Sequence, residues 1–133
     1  MIFGENREAL RDAYRDAWRK HQNGHVLSPL EAQIAAVVEE HPEYQLDVLS
    51  PNDSEPTNSF LHMGLHLALR DQINMDRPAG IAAEFARLQR LQGDAHAAEH
   101  SMFEALSATL WEAQERRSPP DENAYLERLR RAR

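Results

Sequence analysis

The chain has 133 residues and a formal net charge of −7, from 22 acidic and 15 basic side chains. Its seven histidines and lack of cysteine exclude disulfides, thiolate nucleophiles and iron–sulfur clusters, so any metal site must use imidazole and carboxylate ligands. The negative charge disfavours nucleic acid as a main partner, and no apolar run reaches the roughly 18 residues that a membrane span needs. Because charged residues interrupt the N-terminal segment, we expect no secretory signal and a cytoplasmic protein.

Apolar residues recur at intervals of three and four through the first part of the chain. This period predicts a helix over about residues 5–23 and a second helix that Ser28 caps, with Pro29 at its first position. The second helix carries an apolar stripe as far as His41. Prolines and turn-forming residues then dominate 41–57, which predicts a connecting loop with at most a short extended piece.

Helical periodicity continues through the second part of the chain. One predicted helix begins at Asn58 or Ser59, and the next covers about residues 78–92. Asp94 and Asp121 are predicted to cap two further helices. Since no segment alternates with period two for long, the predicted fold is all-α: a single-domain bundle of about five to six helices over residues 1–133.

The histidines form pairs that are four residues apart in the sequence. His62 and His66 lie in one predicted helix, and His96 and His100 lie in another. Residues at this interval differ by about 40° around a helix, so both rings of a pair can converge on one point. Random placement would give roughly 0.3 such pairs, against the three that occur. The spacing predicts that these four imidazoles bind one divalent transition metal, with zinc or iron the best matches.

The other histidines are weaker candidates. His21 and His25 form the third pair, but they straddle Asn23-Gly24, where helical geometry ends, and we interpret them as a helix-end and a loop residue. His41 completes an apolar stripe, which makes it a candidate fifth ligand. The alternative is that His41 interacts with the C-terminal dipole of its own helix.

Carboxylates next to the second pair are further candidates. Glu99 and Glu104 flank the imidazoles on the same helix, and a buried divalent ion favours at least one carboxylate as ligand or as acceptor from a ring N–H. Asp71 and Asp94 are two more candidates. In a catalytic site Glu99 would move the proton of metal-bound water for a small-molecule substrate that the sequence does not identify. The alternative is that Glu99 and Glu104 lie on a solvated face.

Two motif-level resemblances concern these same residues. The segment HAAEH is similar to the H-x-x-E-H signature of inverted zinc peptidases, which implies His96 and His100 as zinc ligands and Glu99 as general base. Those enzymes are larger and have a sheet that this sequence does not predict. A second set of residues resembles the five-histidine, two-carboxylate site of hemerythrin-like oxygen carriers, although the order of motifs differs. Its members are His41, His62, His66, His96 and His100 with Asp71 and Glu104.

Over nearly its full length the sequence resembles a bacterial family catalogued as domain of unknown function 1841. The resemblance is carried by the segments MIFGENREALRDAYRDAW, PLEAQIAAVVEEHPEY, NSFLHMGLHLALRDQ, DRPAGI, GDAHAAEHSMFEALSATLWEAQ and PPDENAYLERL. It implies a single-domain cytoplasmic bacterial protein and brings no assigned activity. The alternative to a metal-binding protein is a helical adaptor or homo-oligomerisation module, in which the histidines are hydrogen-bonded interior groups.

Overall fold

The computed structural model describes residues 7–49 and 58–133, and every regular element in these ranges is helical. The elements are α1 (Arg7–Gln22), α2 (Pro29–Glu39), a 3-10 helix (Pro42–Tyr44), α3 (Gln45–Leu49), α4 (Asn58–Met75), α5 (Ile81–Gln92), α6 (Ala95–Arg116) and α7 (Glu122–Arg131). The all-α prediction is confirmed, and α3 brings the α-helices of the described ranges to seven. The predicted helix start at residue 5 and the predicted loop over 50–57 lie outside the described residues.

The chain divides into two compact units, Met1–Leu67 and Ala68–Arg133, with the division inside α4. The prediction of one domain over residues 1–133 stays a prediction. None of the helices in the described ranges combines the length and the apolar character that crossing a bilayer requires.

The core of the first unit is built by α1, α2, α3 and the start of α4. Its members are Tyr14, Ala17, Trp18, Ile34, Ala35, Val37, Val38, Val48, Phe60 and Met63. The Tyr14 and Phe60 rings meet edge to face at 5.3 Å, and burial raises the pKa of the Tyr14 hydroxyl to about 12. At the start of α2, Ser28 and Glu31 form the predicted cap as a reciprocal capping box. The capping box fixes the start of α2, the helix that ends shortly before His41.

The predicted loop after His41 is wrong for residues 42–49, which are helical. His41 has φ −126° and ψ 71°, outside the α region that the following proline disfavours, and its carbonyl accepts a hydrogen bond from Tyr44 N–H at 2.9 Å. Pro42 therefore starts a helical turn instead of ending all regular structure. The following α3 is held because Val48 is fully buried in the core of the first unit.

The second unit contains the end of α4 with α5, α6 and α7. Leu88, Met102, Leu106 and Leu129 are buried. The caps at Asp94 and Asp121 are found as predicted, since each carboxylate accepts a hydrogen bond from a backbone N–H three residues later.

The predicted helix over 78–92 begins three residues late, at Ile81. The Asp76 carboxylate accepts hydrogen bonds from the backbone N–H groups of Gly80 and Ala82, at 3.1 and 3.0 Å. Gly80 has a φ of +108°, which favours glycine. Residues 76–80 therefore form a turn that caps the helix from Asp76, so Pro78 lies before the helix.

Candidate metal centre

Three imidazole rings meet in the first unit, and we name His41, His62 and His66 the three-histidine cluster. Their ring centroids are 4.9 Å apart for His41 and His62, 4.7 Å for His41 and His66, and 4.9 Å for His62 and His66. His41 is 1% exposed, His66 is 0% exposed and His62 is half-buried. Two of these rings were predicted as a pair, and His41 joins them because the chain turns at the end of α2.

The ring of His41 is oriented by the last turn of α2. Its Nδ1 lies 2.7 Å from the carbonyl oxygen of Val37. A carbonyl oxygen only accepts hydrogen bonds, so Nδ1 carries the hydrogen and the lone pair of the neutral ring is on Nε2. Histidines that bind metals through Nε2 commonly donate Nδ1–H to a backbone carbonyl in this way, which fixes the tautomer and the ring orientation.

His62 and His66 lie one turn apart on α4, and their Nε2 atoms are 3.3 Å from each other. Two imidazole nitrogens on one tetrahedral zinc ion lie about 3.3–3.4 Å apart, given Zn–N bonds of about 2.0–2.1 Å. The separation of these two nitrogens therefore matches a pair of ligands on one ion.

Tyr44 is a neighbour of the cluster that the sequence analysis missed. Its ring stacks on His41 at 5.3 Å with an interplanar angle of 11°, and it meets His62 edge-on at 5.7 Å. Tyr44 lies three residues after His41 in a segment that was predicted as a loop. Helical spacing therefore could not be used to predict its position. Tyr44 adds an aromatic wall to the imidazole cluster.

The second predicted pair lies near the start of α6, in the second unit. The Nε2 atoms of His96 and His100 are 3.0 Å apart, and the ring centroids are 4.5 Å apart. His96 is half-buried and His100 is exposed, with Phe103 5.2 Å from the His100 ring. Cis ligands on an octahedral ion are about 3.0 Å apart for bonds of about 2.1 Å, so this pair also has the spacing of two ligands.

Glu99 lies between His96 and His100 in sequence but is buried, at 4% exposure. Its two carboxylate oxygens accept hydrogen bonds from Arg70 Nε and Nη2 at 3.1–3.2 Å. The alternative of a solvated face is therefore wrong for Glu99. The forked contact with Arg70 neutralises the buried charge and holds the carboxylate in one orientation.

The remaining carboxylate candidates are exposed. Glu104 lies one turn after His100, as the solvated-face alternative expects, and Asp71 is exposed on α4. Asp94 caps α6 through Ala97 N–H. Among the candidate carboxylates of the second unit, Glu99 alone is buried.

The third histidine pair lies at the end of α1, which ends at Gln22 between the two residues. His21 stacks on Trp18 at 5.4 Å and lies 3.6 Å from the carboxylate of Glu39. Both His21 and His25 are exposed. This agrees with their interpretation as a helix-end residue and a loop residue.

The described fold and site define an all-α protein with a three-histidine cluster, two of whose rings are buried, and a second histidine pair. The family model described as Domain of unknown function (DUF1841) matches residues 6–131. The chain therefore belongs to this family, as its sequence resemblance predicted. No curated protein and no solved structure matches the chain significantly.

Proposed function

We propose that this protein binds a divalent transition-metal ion, zinc or iron, through its clustered histidines. The observation that carries the proposal is the three-histidine cluster, with its rings 4.7–4.9 Å apart and two of them buried. Imidazole is the side chain that zinc, iron, copper and nickel share as a ligand, and three imidazoles leave a coordination position for water or substrate.

The orientation of the rings supports a cation over ordinary hydrogen bonding. The facing Nε2 atoms of His62 and His66 can share one hydrogen at most in the neutral pair, whereas an ion uses the lone pairs of both. The contact with Val37 also places the His41 lone pair on Nε2. The tautomer of His41 and the spacing of His62 and His66 are compatible with metal ligation, which supports the proposal.

The proposal keeps the ligand set predicted from the sequence. The sequence predicts His62, His66, His96 and His100 as ligands of one ion, with His41, Glu99 and Glu104 as further candidates, and the three-histidine cluster supports His41 as a ligand beside His62 and His66. Catalysis on a small-molecule substrate, with Glu99 as the base, is the finer form of the proposal. The Arg70 contact holds Glu99 in one orientation and favours its charged form, which positions the carboxylate but also makes it a weaker base.

The test is metal stoichiometry on the full chain after chelator treatment and reloading with Zn²⁺. Mass spectrometry of the metal should give one equivalent per chain for one shared ion, and the double change His62→Ala with His100→Ala should abolish it. His25→Ala is the matched control, because His25 is exposed and lies outside both groups. Retention of zinc by the double variant would contradict these ligands.

The adaptor or oligomerisation module gives a different result. It predicts no stoichiometric metal in the wild-type protein or in either variant, and the same melting temperature with and without chelator.

A third result concerns the number of ions. Two equivalents of zinc would show that each histidine group binds its own ion, which would contradict the single shared site.

A further inference from the structure

A cavity of about 490 Å³ lies in the second unit, between α6 and the end of α7. The residues that line it include three arginines, Arg128, Arg131 and Arg133, and one acidic side chain, Glu104. His100 also lines it, so the cavity borders the second histidine pair. The local excess of arginine stands out in a chain whose formal net charge is −7.

The three arginines differ in what else they contact. Arg128 Nη1 donates to Thr109 Oγ1 at 2.9 Å, and its Nη2 pairs with Glu112, so this guanidinium is fixed and partly neutralised. The Arg131 side chain is 80% exposed. Its Nη2 lies 3.8 Å from a Glu127 carboxylate oxygen, which is longer than a hydrogen bond. Arg131 therefore has hydrogen-bond donors to offer to a ligand in the cavity.

The end of α7 would normally oppose an anion, because the last carbonyl groups of a helix carry partial negative charge. Here Arg87 Nη2 donates to the carbonyl oxygens of Leu129, Arg130 and Ala132, at 2.9, 3.3 and 3.1 Å. Ala132 lines the cavity. Arg87 thus offsets the partial negative charge at the end of α7. The positive charge of the arginines that line the cavity is therefore still available to attract an anion.

We propose that this cavity binds a small organic molecule through a carboxylate or phosphate group. Arginine matches both groups because its planar fork can donate two parallel hydrogen bonds to an oxyanion. The cavity volume lies in the range of about 300–1,000 Å³ that is typical of small-molecule sites. It is larger than an inorganic anion would fill. Ala105 and Ala108 give the organic part an apolar wall.

The position of His100 connects this site to the proposed function. If His100 binds the metal, the anionic molecule lies beside a ligand of the ion. Small organic anions would then be the substrate class of the proposed metal site. This connection rests on the proposed function, whereas the anion site itself needs no metal. The two proposals can therefore fail separately.

The experiment titrates the chelator-treated full chain with phenyl phosphate, benzoate and neutral benzyl alcohol, by isothermal calorimetry. At least one anion should bind, and benzyl alcohol should not. Arg131→Gln should weaken anion binding by about tenfold or more, the usual effect of losing one charge-assisted hydrogen bond. Arg130→Gln is the control, because Arg130 is also exposed on α7 but does not line the cavity.

Each outcome decides a separate point. Binding of phenyl phosphate alone identifies a phosphate ligand, and binding of benzoate alone identifies a carboxylate. Equal binding of benzyl alcohol, no binding of either anion, or an equal loss in Arg130→Gln overturns the anion site. If zinc binds with the expected stoichiometry while no anion binds, only this inference is lost. If anions bind and zinc does not, only the proposed function is lost.

Discussion

Burial of imidazole at His41 and His66 has an energetic consequence. A buried polar group costs about 1–3 kcal/mol when its hydrogen bonding is lost, so the nitrogens of these two rings must have partners. The Val37 carbonyl satisfies one nitrogen of His41, and a cation would use the lone pair on the other. A common role for the rings explains their convergence better than three separate structural roles.

The substitution His41→Phe tests this role. Phenylalanine keeps a ring beside Tyr44 but has no lone pair, so we expect zinc affinity to fall by at least about tenfold. Competition with a chromophoric chelator measures the affinity, and circular dichroism monitors folding. Tyr44→Phe is the control, since it keeps the stacked ring next to His41. Unchanged affinity in a folded His41→Phe protein would exclude His41 as a ligand.

The elements show where local sequence signals suffice and where they do not. The caps at Ser28, Asp94 and Asp121 were predictable because each depends on residues within one turn. The start of α5 was not, since its cap comes from Asp76, five residues before Ile81. The helical turns over residues 42–49 depend on burial of Val48, which a local pattern of turn formers does not reveal.

Gly64 lies inside α4, between the two histidines of its pair, and gives a prediction about this element. A Cβ at this position would meet no atom within 4 Å, and glycine destabilises a helix interior relative to alanine. We therefore expect Gly64→Ala to raise the free energy of unfolding by about 0.5–1 kcal/mol. Urea denaturation measures this change. A destabilised variant would show that the helix needs glycine there for a reason other than space.

At the scale of the whole molecule, composition and period were enough to predict the all-α class, and the resemblance of six sequence segments predicted the family. The two histidine pairs were predictable because their spacing is a property of a single helix. His41 and Tyr44 joined the first pair through tertiary packing of the segment after α2, and Arg70 met Glu99 from 29 residues away. Contacts between distant segments of the chain have no local signal, so this part of the site required the structure.

X-ray absorption spectroscopy of the zinc-loaded full chain measures the central claim most directly. The account predicts a first shell of nitrogen at about 2.0–2.1 Å, with the outer-shell scattering of at least three imidazole rings. His25→Ala should leave this spectrum unchanged, and His62→Ala should remove one ring from it. A first shell of oxygen alone, without imidazole scattering, would contradict a histidine-bound metal.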